Sequence, residues 1–324
     1  MSLDRLIAGI NRSGNPTVAG LDPKLSYIPK YIVKKAFEKH GETMKGAAKA
    51  ILEFNKCLID ALHDIVPAVK LQAAYYEMYG YHGMKTLAKT AEYAKANGMY
   101  VITDGKRNDI GATSEAYAAA YLGETAITPD SAETAFYSDA LTVNGYLGTD
   151  GVKPFLKECA ARDKGLFILL KTSNPSSGEL QDKILENGRT VYGEMAEMCA
   201  AWGREIPGKY GYNGVGAVVG ATYPEQLAEL RGKFPETFFL IPGYGAQGGA
   251  AANIALAFDK NGQGGIVNNS RGIMTAYISE DFREKDFQLA ARAAAEKMKA
   301  ELTRAISGKV KTDDVSEKNK TNDN

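Results

Sequence analysis

The stretch "VITDGKRNDIGAT", residues 101–113, joins an apolar run to a cluster of charges and is the most informative part of the chain. Its first residues are β-branched and favour a buried strand. Four charged residues then follow within six positions, namely Asp104, Lys106, Arg107 and Asp109. Because side chains two apart on a strand share one face, Asp104 and Lys106 would point the same way. The pattern predicts a strand that ends in a charged functional site.

Apolar runs of strand length recur along the chain and are separated by longer segments with helical spacing of apolar residues. The eight runs are 16–22, 65–72, 98–106, 140–146, 165–173, 214–222, 237–243 and 264–271. Most are continuous rather than alternating, as in parallel strands covered on both faces. Eight strand-helix units predict an α/β fold, a single (β/α)8 TIM barrel. A doubly wound sheet is the alternative, but it would more usually show GxGxxG after its first strand, where this chain has "VAGLDPKL", 18–25.

Two connections are too long to be simple loops: residues 23–43 after the first strand and 174–213 after the fifth. Long insertions usually act as lids or carry helices of their own, and 181–205 has a helical pattern. Beyond Thr303 the sequence is polar and nearly free of apolar residues, which predicts disorder. We therefore expect a catalytic barrel domain over 1–303, with insertions after strands 1 and 5, and a disordered tail over 304–324.

Composition limits the possible partners and compartments. Lys plus Arg number 39 and Asp plus Glu number 39, so no net charge attracts nucleic acid or an anionic membrane. Three cysteines without a CxxC motif argue against a disulfide framework or a zinc site. No signal peptide is recognisable, and no apolar segment reaches the ~18 residues of a membrane helix. We expect a cytoplasmic protein that binds neither nucleic acid nor membrane.

Polar residues stand at the carboxyl ends of the predicted strands. They are Asp22, Lys70, Gln72, Asp104, Lys106, Asn144, Lys171, Thr172, Ser173, Gln247, Ser270 and Arg271. Because barrel enzymes carry their active sites at this end, the residues should converge on one mouth. Alternating ammonium and carboxylate groups can hold charges at a barrel mouth from which water is excluded, where an unpaired charge would cost several kcal/mol. A structural salt-bridge network at the rim is the alternative interpretation.

Two consecutive segments near the end of the barrel have the features of a phosphate site. "IPGYGAQGG", 241–249, comes after the seventh strand, and "VNNSRGIM", 267–274, comes after the eighth. Gly-rich loops and helix starts offer backbone N–H groups to anions, and barrels frequently bind phosphate at these two loops. Arg271 would add a bidentate clamp, and Gln247 could reach phosphate or a ring. Taken alone, either segment could be an ordinary tight turn.

"DGKRNDIGAT", 104–113, resembles the DxKxxDIxxT signature of the orotidine 5′-phosphate decarboxylase family. Four further motifs resemble the longer bacterial-type branch of that family: "AGLDP" (19–23), "VKLQAAYYE" (69–77), "KTSNPSS" (171–177) and "PGYGAQGG" (242–249). The resemblance runs from about Pro16 to about Tyr277, nearly the whole barrel. One departure is Ser270, where members of the family often carry Gly directly before the Arg.

The resemblance implies decarboxylation of orotidine 5′-monophosphate to uridine 5′-monophosphate, the last step of de novo pyrimidine nucleotide synthesis, without metal or organic cofactor. It also implies a homodimer with shared active sites, in which Asp109 belongs to the site of the other subunit. Its implied catalytic residues are Lys70, Asp104, Lys106 and Asp109. Its implied substrate contacts are Asp22 and Thr113 at the ribose, Ser173 at the pyrimidine, Gln247 between pyrimidine and phosphate, and Arg271 at the phosphate.

Two other functions fit parts of the sequence. A keto-sugar-phosphate decarboxylase or hexulose-phosphate synthase shares the Asp-x-Lys-x-x-Asp strand but uses magnesium, and Lys70 stands where a magnesium site would more naturally use a carboxylate. A catalytically silent phosphate-binding protein would be expected to lack Asp104 or Lys106, and both are present. The sequence assigns no role to Arg107.

Overall fold

In the computed structural model, the eight predicted apolar runs form the parallel strands of one closed barrel. The structure describes residues 2–245, 250–278 and 282–322. The strands in chain order are β1 (Thr17–Leu21), β2 (Ala68–Gln72), β3 (Tyr100–Arg107), β4 (Thr125–Thr128), β5 (Ser131–Glu133), β6 (Ala140–Val143), β7 (Gly165–Lys171), β8 (Val215–Val219), β9 (Phe239–Ile241) and β10 (Gly265–Asn269). Around the barrel they follow the order β1-β10-β9-β8-β7-β6-β3-β2, so neighbours in sequence are neighbours in space. The predicted (β/α)8 TIM barrel is confirmed.

Helices connect the strands and cover the barrel. In chain order they are α1 (Ser2–Ser13), α2 (Lys30–His40), α3 (Met44–Leu62), α4 (Ala74–Glu77), α5 (Gly80–Ala96), α6 (Gly111–Tyr121), α7 (Thr149–Arg162), α8 (Val191–Arg204), α9 (Pro224–Lys233), α10 (Ala251–Ile254), α11 (Arg271–Met274) and α12 (Phe287–Asn322). Among the residues described, no helix combines the length and the apolar composition needed to cross a membrane.

Two apolar cores explain why the strand sequences are continuously apolar. One core fills the inside of the barrel and includes Val18, Ala68, Ile102, Phe167 and Ile266, all essentially inaccessible to solvent. The other lies between the barrel and its helices and contains the alternate strand residues together with the apolar faces of the helices. Since both faces of each barrel strand are buried, the strands are mostly apolar until they reach the barrel end.

The exposed pair β4 and β5 was not predicted. It forms an antiparallel hairpin between α6 and β6, outside the barrel. All of its strand residues are exposed, so the sequence carries no run of buried apolar residues that would have indicated it.

Both predicted insertions are present, but the helical prediction over 181–205 was wrong in its first ten residues. Residues 181–190 form a loop closed by a bridge between Ile184 and Thr190, and α8 begins only at Val191. Thr190 caps the helix by accepting a hydrogen bond from the Gly193 N–H at 3.1 Å. Gly188, with a φ of 79°, has a left-handed backbone that interrupts any earlier helix. The insertion after β1 contains α2, which packs on α3.

α12 runs from Phe287 to Asn322 and so includes most of the segment 304–324 for which the sequence predicted disorder. Leu302 and Ile306 are buried and Val310 packs against the core, so the four-residue spacing of α12 extends its apolar stripe past Thr303. Lys309 also donates a hydrogen bond to the Phe258 carbonyl at 2.6 Å. Apolar residues at helical spacing therefore dock α12 on the barrel as far as Val310.

Candidate active site

A cavity of about 640 Å³ opens at the carboxyl ends of the barrel strands. Six of the nine predicted site residues line it: Asp22, Lys70, Asp104, Lys106, Ser173 and Arg271. Its apolar wall is formed by Leu169, Val218, Leu240 and Pro242. Charged groups and apolar side chains therefore line one cavity, a combination typical of sites for small polar ligands.

A larger groove of about 940 Å³ lies elsewhere, between α2 and the residues around Tyr277. Its walls include Leu25, Val33 and Phe37, and none of its lining residues belongs to a barrel strand. Because barrel chemistry is placed at strand ends, the smaller cavity is the candidate active site.

Four side chains form a charged array at the ends of β1, β2 and β3: Asp22, Lys70, Asp104 and Lys106. The Lys70 Nζ lies 3.1 Å from Asp104 Oδ2 and 3.5 Å from Asp22 Oδ1. The Lys106 Nζ lies 2.6 Å from Asp104 Oδ1. The three strands are neighbours, with Gly20 opposite Lys70 and Gln72 opposite Asp104, which brings these alternating charges together.

The array keeps its charges although it is buried. The side chains of Lys70 and Asp104 are only 4% and 11% exposed, whereas that of Lys106 is 45% exposed toward the cavity. Burial alone would lower the pKa of Lys70, but Asp22 and Asp104 raise it above its ordinary value. Burial alone would raise the pKa of Asp104, but Lys70 and Lys106 hold it well below its ordinary value. Both groups are therefore charged at neutral pH.

Two uncharged side chains fix Asp104 in place: Gln72, which the sequence predicted at the mouth, and Thr142, which it did not. The Thr142 hydroxyl donates to Asp104 Oδ1 at 2.8 Å and accepts from the Lys106 backbone N–H at 2.9 Å. The Gln72 amide donates to the Asp104 carbonyl at 3.2 Å, and its oxygen accepts from Lys70 at 3.3 Å. Thr142 was missed because a threonine inside an apolar run is typical of any β-strand.

The backbone of β3 is irregular at the point where it presents these charges. Thr103 pairs with Leu141 and Arg107 with Val143, so four steps along β3 face two steps along β6. Lys106 within this bulge has a φ of 47°, in the left-handed region that L side chains rarely adopt. Such a conformation costs roughly 1–3 kcal/mol and persists only where surrounding contacts hold it.

At the end of β10, which is next to β1 in the barrel, the polar groups of the cavity are less constrained. Arg271 is exposed at the start of α11, and within the described parts of the chain its guanidinium has no ion pair and no hydrogen-bond partner. Gln247, predicted to act beside it, lies outside the described residues. The side of the cavity that the sequence assigned to phosphate thus has a cation available for a ligand.

Asn268 and Ser270 complete this side of the cavity. The buried Asn268 donates through Nδ2 to Ser270 Oγ at 3.2 Å, while its Oδ1 has no hydrogen-bond partner among the described residues. Ser270 has a φ of −102°, so this position does not need glycine. Its hydroxyl occupies the space beside Gly20, where a Cβ would lie only 1.9 Å from Ser270 Oγ. The departure at Ser270 is thus compensated by Gly20.

Asp109 and Thr113 do not line this cavity. Asp109 accepts a hydrogen bond from the adjacent Ile110 N–H at 2.8 Å, and its carboxylate has no ion pair within the described ranges. Thr113 is exposed on α6. Lys171, a strand-end cation, is also absent from the cavity wall, because its Nζ is buried 2.6 Å from Asp182 Oδ1 in the insertion after β7.

The donor set of the cavity is mixed, with ammonium groups between its carboxylates. In the portion of the chain that the structure describes, no three His, Cys, Asp or Glu side chains are grouped so that they could hold a metal ion.

Comparison with known proteins places this geometry in a family. Residues 40–281 match the model of the "Orotidine 5'-phosphate decarboxylase / HUMPS family". The chain is 45% identical to orotidine 5′-phosphate decarboxylase of Rhodopirellula baltica, covering 92% of this chain and 97% of that protein. It is 41% identical to the protein of the same name from Caldicellulosiruptor bescii, covering 94% and 98%. The structure of Leishmania donovani OMP decarboxylase superposes with a TM-score of 0.71 at 29% identity, covering 94% and 98%. The chain therefore belongs to the orotidine 5′-phosphate decarboxylase / HUMPS family.

Proposed function

We propose that the cavity converts orotidine 5′-monophosphate into uridine 5′-monophosphate and carbon dioxide, with Lys106 as the proton donor. The reaction is supported by the family and by relatives of this name that align over nearly the whole chain. The observation that carries the mechanism is the charged array, in which the Lys106 Nζ is held 2.6 Å from Asp104 and still faces the cavity.

The chemical difficulty is the carbanion left at C6 when the carboxylate departs. Its electron pair lies in the plane of the pyrimidine ring, where no π-system can delocalise it, and the mechanism uses no cofactor as an electron sink. Stabilisation must then be electrostatic, from charges already in place. In the proposed step the bond from C6 to the carboxylate breaks, its electrons stay on C6, and carbon dioxide leaves. Lys106 donates its ammonium proton to C6 and regains one from solvent.

Asp104 contributes by crowding the substrate carboxylate. Two like charges 4 Å apart repel by about 4 kcal/mol at an effective dielectric of 20. At 1.36 kcal/mol per decade, relief of this repulsion on loss of carbon dioxide accounts for roughly a thousandfold in rate. The figure is an upper limit, because Lys70 and Lys106 offset part of the repulsion. Protonation and binding energy from the phosphate and ribose supply the remainder.

The other cavity residues are suited to holding the non-reacting part of the nucleotide. Arg271 has the geometry for a bidentate bond to phosphate, and Gln247 would act beside it. Ser173 lines the cavity at the end of β7, near the apolar wall on which a pyrimidine would lie. The amide oxygen of Asn268, which has no partner among the described residues, is suited to a sugar hydroxyl, since that group can donate a hydrogen bond.

Asp109 and Thr113 are assigned to the active site of a second subunit, in a homodimer. In support, both follow directly on β3 and the charged array, yet neither lines its own cavity. Mixing two inactive variants tests the assignment. In a statistical mixture of Lys106→Ala and Asp109→Asn subunits, half of the dimers carry one intact site, so activity should return to about a quarter of the wild-type value. Activity that stays at the level of the separate variants contradicts the shared site.

The alternative within the same family is a magnesium-dependent reaction on a hexulose phosphate. The buried Lys70 disfavours it, because an ammonium group between Asp22 and Asp104 occupies the place of a cation. The test is the fall in ultraviolet absorbance of orotidine 5′-monophosphate in EDTA. Turnover in EDTA supports the proposal, whereas turnover of only a hexulose phosphate with magnesium contradicts it. All three cysteines are unpaired, which suits the reducing cytoplasm where nucleotides are made.

A further inference from the structure

We propose that Arg107 is a positioning residue for Lys106, acting on the peptide unit that joins Gly105 to Lys106. The inference rests on the proposed role of Lys106 as proton donor. Arg107 is the charge in the β3 segment to which the sequence assigns no role, and it does not line the cavity. Any effect of Arg107 on the cavity must therefore be transmitted through the backbone that carries Lys106.

The Gly105–Lys106 peptide unit is held at both of its polar ends by side chains. Arg107 Nη1 donates to the Gly105 carbonyl oxygen at 2.9 Å. The Lys106 N–H of the same peptide unit donates to Thr142 Oγ1 at 2.9 Å. Two bonds in opposite directions fix the rotation of this peptide plane, and with it the φ of Lys106.

That rotation needs to be held, because the φ of 47° at Lys106 is unfavourable for a lysine. A relaxed β conformation would turn the Lys106 side chain relative to Asp104. In the structure its Nζ lies 2.6 Å from Asp104 Oδ1. The left-handed backbone and the close ion pair occur at the same residue. Contacts that maintain the backbone conformation of Lys106 therefore also maintain its ion pair with Asp104.

Arg107 is itself rigidly placed, as a positioning group must be. Its Nη2 donates to the Tyr121 hydroxyl at 3.0 Å and pairs with Glu77. Its guanidinium lies over the rings of Tyr117 and Tyr121, 5.6 and 5.4 Å from their centroids. Contacts with α4 and α6 therefore hold the guanidinium in the position from which it donates to the Gly105 carbonyl.

The test is the substitution Arg107→Met, which keeps an unbranched apolar stem at this position and removes the donor to Gly105. We expect kcat for orotidine 5′-monophosphate to fall roughly 10- to 100-fold, because misplacement by about 1 Å costs up to 10²-fold, while KM stays within about threefold. An unchanged kcat in the folded variant, or a rise in KM equal to the loss in kcat, overturns the proposal. If wild-type protein itself fails to turn over, the proposed function fails instead.

A double-mutant cycle with Thr142→Val distinguishes positioning from general damage. Because Arg107 and Thr142 hold the same peptide unit, the double variant should be clearly less impaired than the product of the two single losses. Losses that multiply contradict the proposal.

Two further variants keep the proposal testable if Arg107→Met does not fold. Tyr121→Phe removes only one bond from the guanidinium, and we expect a loss of kcat smaller than that of Arg107→Met with unchanged KM. No change in kcat would contradict the proposal even if Arg107→Met did not fold.

Arg231→Met is the matched control. Like Arg107, Arg231 donates to backbone carbonyls, here those of residues 234, 235, 257 and 264, and its guanidinium lies over an aromatic ring. Unlike the bond from Arg107, these contacts are away from the cavity. The substitution should alter stability and leave kcat unchanged.

Discussion

The two sides of the cavity differ in how completely their polar groups are paired. In the charged array of Asp22, Lys70, Asp104 and Lys106, every member has an oppositely charged neighbour within 3.5 Å. At the end of the neighbouring strand β10 are Asn268, Ser270 and Arg271, called here the open side. Within the part of the chain that is described, the Arg271 guanidinium and the Asn268 amide oxygen have no hydrogen-bond partner there.

This difference indicates that the charged array and the open side have different roles, one in catalysis and the other in binding. Charges that stabilise a transition state are most effective when they are oriented before the substrate arrives, since no reorganisation is then needed during the reaction. Groups that bind a non-reacting phosphate and sugar can instead keep their hydrogen-bonding capacity for the ligand. Substitutions in the charged array should therefore act mainly on kcat, and substitutions on the open side mainly on KM.

The largest effect is expected for Lys106→Ala. Loss of the proton donor and of a charge at C6 should lower kcat by at least about 10⁴-fold, combining the usual sizes of the two contributions. The dissociation constant for uridine 5′-monophosphate, measured by calorimetry, should stay within about threefold. Lys85→Ala, on the exposed face of α5, is the control and should behave as wild type. Near-normal kcat in Lys106→Ala would remove Lys106 from the mechanism.

The next effect is expected for Asp104→Asn, which keeps the shape of the side chain and removes its charge. We expect kcat to fall by roughly a thousandfold, the upper limit estimated for repulsion of the substrate carboxylate. The free energy of unfolding should also fall, because the buried Lys70 would retain only Asp22 as a counter-charge. Steady-state kinetics and urea unfolding measure the two effects. A loss of stability without loss of kcat would reduce Asp104 to a structural role.

On the open side, Arg271→Ala should raise KM roughly 100-fold with a much smaller change in kcat. Two charge-assisted hydrogen bonds to phosphate are together worth about 3 kcal/mol or more. Initial rates over a wide range of substrate concentration separate the two parameters. Arg204→Ala, at the exposed end of α8, serves as the matched control. An unchanged KM in Arg271→Ala rejects this residue as the phosphate clamp.

The smallest effect is expected for Asn268→Leu. It removes one neutral hydrogen bond to the nucleotide, worth about 1 kcal/mol, so KM should rise up to roughly tenfold while kcat is little changed. The exposed Asn11→Leu on α1 controls for the substitution itself. A fall in kcat with constant KM would place Asn268 with the charged array rather than on the open side.

The barrel and the charged array could be predicted from sequence for the same reason. Strands buried on both faces are continuously apolar, so the first charges after each run mark the end of the strand, and parallel strands end together. Asp22, Lys70, Asp104 and Lys106 were found in this way. Their convergence required no knowledge of side-chain conformation.

What the sequence did not reveal depends on local geometry. The role of Thr142 follows from a bulge that sets its hydroxyl between Asp104 and the Lys106 N–H, and neither the bulge nor the φ of Lys106 has a sequence signature here. The docking of residues 304–311 rested on two apolar residues at helical spacing, Ile306 and Val310, in a polar segment. The proposed placement of Asp109 and Thr113 involves a second subunit, and contacts between subunits leave no pattern in the spacing of residues along one chain.

The most direct test of the division between the two sides is a crystal structure with bound uridine 5′-monophosphate. The four side chains of the charged array should lie within about 1 Å of their positions in the free protein, as in other preorganised sites. The Arg271 guanidinium should lie within hydrogen-bond distance of the phosphate. Separation of Lys70 or Lys106 from Asp104 on binding, or a phosphate held without Arg271, would contradict the account.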